Sequence, residues 1–352
     1  MANFLMRKST AVPEVNPEAA VDQDVTRLGA VAVERGPIGD IAASDDGTIM
    51  VTNHGDDTVS LLNAGSLSLL GAIAVPGEPF AVAMTDDRAY VSSSSASHDE
   101  VSVIDTITRT VIASYPLAFS VSALAASPDG KRVYAARIGD NYVDVAVIDT
   151  TAERVGTIDI ATGAGIGIDA LKVDPSGKRL YVATTDAASS ALAIVDIETA
   201  RVQRTVTVGS PIRDIAFADG TGYVLTSDRT RGGAVHVVDL STAEITDTVD
   251  LGVGAPTQMT MSADRTRAYI VDYNKVTVLD TLTLEVVNAV NLDARPSSVA
   301  VDSDSGRLYV ADYTGGVTVF SVAPATPSLY SQLVATDPIP IPDVTDLEVA
   351  PA

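Results

Sequence analysis

Few residues in this chain could do covalent chemistry, and they are scattered. The 352 residues contain three histidines, His54, His98 and His236, and no cysteine. Thiolate nucleophiles, thiolate metal sites and disulfides are therefore excluded. A catalytic histidine needs a positioned acid or base beside it. Only His54, close in sequence to Asp56 and Asp57, offers that, while His98 and His236 share no spacing with it. Neither a Gly-x-Ser-x-Gly elbow, a phosphate-binding glycine loop nor a His-Glu-x-x-His pair occurs. What remains is a set of carboxylates and one lysine, and their meaning depends on the elements that carry them.

Those elements repeat. A unit of roughly 40 to 47 residues recurs along the chain, a period typical of stacked or radial repeats. Its clearest copy reads Ser127-Pro-Asp-Gly130, Lys131-Arg-Val-Tyr134, Val145-Ala-Val-Ile-Asp149 and Val155-Gly-Thr-Ile158. An aromatic anchor returns at Tyr90, Tyr134, Tyr181, Tyr223, Tyr269 and Tyr309, with Met50 in the first unit. An acidic anchor returns at Asp105, Asp149, Asp196, Asp239 and Asp280, with Asn63 and Ser321 in the end units. Between anchors lie short runs of Val, Ile, Thr and Ala bounded by Gly, Pro, Asp and Ser, the pattern of strands joined by tight turns. In the third unit the runs are 121–126, 133–137, 144–148 and 155–160. Four short antiparallel strands per unit, with no amphipathic helix pattern, predict an all-β, seven-bladed β-propeller. The seventh unit, 296–322, lacks an outermost strand, and residues 25–33 read like one. The expectation is that this N-terminal strand completes the last blade and closes the ring.

The second-strand residues carry a family resemblance. Met50-Val-Thr-Asn53 keeps Val-Thr-Asn, and Tyr90-Val, Tyr181-Val, Tyr223-Val and Tyr309-Val keep the opening pair, of a Tyr-Val-Thr-Asn signature. Over residues 25–322 the chain resembles the YVTN-type β-propeller repeat proteins. The resemblance implies the fold. It implies little about activity, because such propellers serve as binding modules, envelope proteins and occasionally enzymes.

With the repeats aligned, the chemistry-bearing residues acquire places. On the innermost strands the first channel position reads Asp40, Ala81, Ala123, Ala170, Asp214, Gln258 and Ser298. Two residues on, strand alternation returns the same side with Ala42, Ala83, Ala125, Lys172, Ala216, Thr260 and Ala300. Lys172 breaks a row of small residues. It is expected either to pair with Asp40, Asp169 or Asp214 or to present its ammonium to a ligand in the channel. The residue closing the second strand reads Asn53, Ser93, Arg137, Thr184, Thr226, Asp272 and Asp312, expected at the top rim, where the innermost strands begin. Asp272 and Asp312, on neighbouring blades, are the candidate metal ligands for a divalent cation, set against their ordinary role as turn formers. No other cofactor is expected.

Composition narrows the partners. Forty-six acidic against 23 basic residues give a formal charge of −23. Such a surface repels nucleic acid and anionic membranes. No apolar run is long enough to span a bilayer and no secretion signal is evident, so a cytoplasmic protein without membrane insertion is expected. Residues 1–24 are expected to form an N-terminal arm. Residues 323–352, Pro-rich and acidic yet holding Leu329, Tyr330, Leu333, Ile339, Ile341 and Leu347, form a tail that either runs free or docks on the propeller. The expected function is that of a monomeric, non-catalytic protein-binding module or scaffold, serving a protein complex at the inner membrane or envelope. The expected contact loops are 92–100, 137–143, 185–191 and 227–233. The alternative is a lactone-type hydrolase or lyase in the central channel, using Asp40, Lys172, Asp214 and His54.

Overall fold

The computed structural model describes residues 25–322, apart from Asp86, Phe119, Ala188, Val253 and residues 303–305. The expectations for residues 1–24 and 323–352 lie outside the described residues. Seven four-stranded antiparallel sheets form the blades of a propeller. Their innermost strands are Ile38–Ala43, Glu78–Met84, Ser120–Ala126, Gly167–Val173, Ile212–Ala218, Gln258–Met261 and Pro296–Val301, which number blades 1 to 7. The seventh sheet is completed by Val25–Ala32, which pairs antiparallel with Gly316–Val322 in a register running from Val25 opposite Val322 to Ala32 opposite Gly316. The N-terminal strand therefore closes the ring, as the sequence predicts.

The core lies between blades. Each of seven apolar clusters draws its residues from two adjacent blades. Each cluster also takes one second-strand anchor from the earlier blade of the pair. Met50 fills the layer between blades 1 and 2, Tyr90 that between 2 and 3, and Tyr309 that between 7 and 1. The periodic tyrosines are thus wedges, almost wholly removed from water. Some hydroxyls reach neighbouring turns: Tyr90 donates to the Gly130 carbonyl of the next blade at 3.1 Å and Tyr223 to the Thr281 carbonyl at 3.3 Å.

The acidic anchor also has a structural explanation. Each residue of this row stands at the end of a third strand, and its carboxylate accepts backbone N–H groups two or three residues on, as Asp105 does from Ile107 and Thr108. Four residues after the anchor the chain turns through positive φ without glycine, at Leu67, Arg109, Glu153, Ala200, Ala243 and Leu284. A left-handed non-glycine residue is normally strained. The side-chain cap, repeated from Asn63 to Asp280, holds the turn in that shape.

Two expectations follow. Tyr309→Ala should cost about 3–5 kcal/mol of stability by opening a cavity in the layer that joins blade 7 to blade 1. Met50→Leu, at the matching position, should cost less than about 1.5 kcal/mol, both being read from urea midpoints. The second concerns acid. Hydrogen bonds from the turn, led by Thr108, Ala152, Thr199 and Ser241, hold Asp105, Asp149, Asp196 and Asp239 below the ordinary aspartate range. The stabilisation is present above about pH 4 and is lost as pH falls through the lower folded values. Thermal midpoints measured from pH 6 to pH 2 should fall more steeply below pH 4 in the wild type than in Asp196→Ala/Asp239→Ala.

Candidate functional site

The innermost strands are not regular. In six of the seven, the register against the second strand shifts by a β-bulge at the top end of the strand. A bulge places two successive residues opposite one and re-aims a side chain. Here it adds a row that strict alternation would point away from the channel, Gly39, Phe80, Ser122, Asp169, Arg213 and Ser297, joined by Thr257, which precedes the unbulged strand of blade 6. All seven line one cavity of about 530 Å³ at the top mouth of the channel, together with the row beneath them that begins at Asp40.

That lower row is a chain of clasps. Asp40 of blade 1 accepts the Val82 N–H of blade 2 at 3.0 Å, and Asp214 of blade 5 accepts the Met259 N–H of blade 6 at 2.9 Å. Gln258 of blade 6 accepts the Val299 N–H of blade 7 at 2.8 Å, and Ser298 of blade 7 accepts the Ile41 N–H of blade 1 at 3.2 Å. Four consecutive blade junctions, from 5–6 round to 1–2, are tied this way across the point of ring closure. At blades 2, 3 and 4 the same position is alanine and has nothing to tie with.

The carboxylates are almost fully engaged by this duty. Asp40 accepts, besides Val82, the N–H of Ile41, the hydroxyl of Ser298 and the amide of Gln258, at 2.9 to 3.3 Å. Burial pushes its carboxyl above the ordinary aspartate value, against the pull of those bonds and of the Lys172 charge. Asp214 accepts Ile215 N–H at 2.8 Å and the Lys172 ammonium at 3.4 Å. The Asp214 charge raises Lys172 above its ordinary value, outweighing burial, and Asp40 adds to it. Lys172 is therefore a cation. Its side chain keeps 41% of its surface open to the channel, whereas that of Asp214 keeps 6%.

Asp40, Lys172 and Asp214 thus converge. His54 stands on the rim of the same cavity, but its partner is Glu78 of blade 2 at 2.6 Å, not Asp56 or Asp57. Asp56 is taken by Arg35 and Thr58. The residues closing the second strands do not form a rim. Asn53 is completely buried and donates to Thr58 and Ser60, and Arg137 forms a buried two-point pair with Asp144. Five of the seven are buried because neighbouring blades flank the second strand on both faces up to its last residue, whereas Asp272 and Asp312 are only partly covered. Asp272 accepts the Ala255 and Tyr273 N–H groups, and Asp312 accepts Thr314 and Gly316. Each fixes its own loop. Among the described residues no three His, Cys, Asp or Glu side chains gather as a metal-binding group.

The top face also carries features that no anchor in the sequence marks. Three aromatic rings are exposed among the described residues: Phe80 (58%), Tyr273 (63%) and Tyr313 (46%). Phe80 and Tyr313 line the cavity. The Arg295 guanidinium lies over both tyrosine rings, 4.8 Å from Tyr273 and 5.1 Å from Tyr313, which fixes a cation by stacking.

A closed ring of seven blades around an aromatic-rimmed mouth defines a β-propeller with a cavity at its top face. The comparisons with known proteins agree with the fold. Residues 26–329 match the model of the YNCE-like beta-propeller family, and the chain belongs to that family. A seven-bladed beta-propeller protein of Mycolicibacterium smegmatis is 53% identical over 342 residues, covering 95% of this chain and 93% of that one. The seven-bladed beta-propeller protein Rv1057 of Mycobacterium tuberculosis is 37% identical over 341 residues, 86% of each chain. Among solved structures, Kuenenia stuttgartiensis hydrazine synthase superposes with a TM-score of 0.72 over 83% of this chain and 97% of that chain. At 23% identity this likeness concerns the fold alone.

The clasp can be tested directly. Asp214→Ala strands the Met259 N–H and leaves Lys172 without its counter-charge. It should cost about 2–4 kcal/mol, read by urea unfolding. Arg213→Ala, one residue away but exposed, should change stability by less than about 0.5 kcal/mol.

Proposed function

We propose that this protein is a non-catalytic binding module whose top face captures a protein partner around the channel mouth. The observation that carries the reading is the placement of the exposed aromatics. The chain has no tryptophan and buries its periodic tyrosines. The three rings that remain exposed stand on one face: Phe80 and Tyr313 line the cavity, and Tyr273 is joined to Tyr313 by the arginine stacked on both. Exposed Tyr, Phe and Arg on a rigid frame are the residues that dominate the energy of protein interfaces. They lie on blades 2, 6 and 7, so the contact surface centres on the closure side of the disc and not on loops 92–100, 137–143, 185–191 or 227–233.

The hydrolase reading has less support. A general base needs a free lone pair aimed at substrate. Asp40 and Asp214 spend theirs on backbone N–H groups, Ser298, Gln258 and Lys172, and His54 sits at the rim on Glu78. A scaffold serving a complex at the inner membrane or envelope suits the binding reading, with the partner supplying any membrane contact.

A photo-crosslinking residue at position 313 should trap a partner in native cells, and one at Leu282, exposed on the opposite face, should not. Phe80→Ala or Tyr273→Ala should weaken capture about tenfold each, the loss typical of an aromatic hot spot. Trapping from position 282 alone would sink the top-face reading.

A further inference from the structure

Hydrogen-bond bookkeeping over the mouth leaves a remainder of unspent polar groups. The acceptors of the lower row are spent: Asp40 has four donors and Asp214 three. Both ends of the Gln258 amide are used, and Ser298 both accepts and donates. Other groups of the cavity are unspent. The hydroxyl of Ser297 is buried, the residue being only 9% exposed, and makes no hydrogen bond among the described residues, although it lines the cavity. The buried hydroxyl of Ser122, from the same bulge row across the mouth, also makes none. Arg213 lines the cavity with no carboxylate within ion-pair distance among the described residues, and Lys172 directs one of its three N–H groups to Asp214. Asp169 of the bulge row accepts from Thr185 through one carboxylate oxygen, and its other oxygen makes no hydrogen bond among the described residues. Leaving a buried polar group unpaired costs free energy comparable to a lost hydrogen bond. A bulge repeated in six blades that turns such groups into one cavity is a built feature, not an accident of one loop.

We propose that the mouth is a binding site for a carboxylate carried on an apolar body, received by Ser297, Ser122, Arg213 and Lys172. Hydroxyls and cations are the groups from which a carboxylate accepts hydrogen bonds. The exposed rings of Phe80 and Tyr313 at the rim receive the apolar part. A carboxylate of this kind ends every peptide chain and also occurs free in small organic acids. The inference rests on the top-face reading and sharpens it: the partner offers its C-terminus to the mouth.

Two probe pools separate the sources. One holds N-acetyl tetrapeptides ending in Val, Leu or Phe, as free acids and as C-terminal amides. The other holds hexanoate and phenylacetate beside hexanamide and phenylacetamide. Ligand-observed NMR on the full-length protein, with calorimetric titration of each binder, should give peptide acids at least about tenfold tighter than their amides, as expected for a charged hydrogen-bonded contact. Arg213→Ala should reduce acid binding by about tenfold or more and leave amide binding unchanged. Ser297→Ala removes an unspent buried hydroxyl, so it should weaken acid binding severalfold while the melting temperature holds or rises; a drop in both would mark Ser297 as structural and count against the site. Binding of the small acids alone keeps the carboxylate site and removes the C-terminal partner. Equal binding of peptide acids and amides keeps a peptide-binding face and overturns the carboxylate site. No binding from either pool overturns the proposal.

Discussion

Ring closure is the constraint on which the rest of this molecule depends. No blade owns a core. Each apolar cluster is shared by two neighbours, so a blade covers both its faces only when the ring is complete. The pairing of Val25–Ala32 with Gly316–Val322 brings the two ends of a 298-residue circuit, 25–322, into one sheet. It turns a row of layers with two open ends into a circle with none. Tyr309 and its layer then receive Ile38, Ile41 and Val51 from the far end of the chain.

The same closure shapes the mouth. Seven inner strands brought to one axis crowd together, and alanine fills most of the channel for that reason. Where larger polar residues occur they serve as clasps to the next blade, and they run through the junctions nearest the closure. Phe80, Arg213, Tyr273, Arg295, Ser297 and Tyr313 stand on this clasped arc. A recognition surface fixed to a stiff support loses less entropy on binding, so the clasp and the rim are parts of one arrangement. A carboxylate such as Asp214 is conspicuous in the sequence as potential chemistry, yet its place makes it a fastener. Arg213, one residue earlier, is the group turned outward.

Much of the architecture was legible because it rests on a local code repeated many times. The turn glycines, the third-strand Asp and the second-strand Tyr each satisfy a nearby steric or hydrogen-bonding need, and seven copies make the period plain. The completing strand at 25–33 could be read because it resembles the fourth strand of other units. The pairing of Lys172 with a channel carboxylate was legible too, since a lysine among inward-facing alanines has few places to put its charge. Five of the seven second-strand ends lie in the interior and not on the expected rim, Asp272 and Asp312 being the partly exposed ones. Their local sequence says where the strand stops, but not that neighbouring blades enclose that stop.

By itself, then, the sequence determined the blade count, the four-stranded antiparallel blades and the closing strand, because those follow from short-range periodicity. Only the tertiary structure decided what the channel residues do. The bulges that turn Ser122, Arg213 and Ser297 into one cavity break the two-residue alternation from which facing is inferred, and nothing in the local pattern marks them. The partner of His54 on the next blade, three of the four donors on Asp40 and the stacking of Arg295 on two tyrosines join residues tens to hundreds of positions apart. Such contacts exist only once the ring has brought distant blades to a common axis.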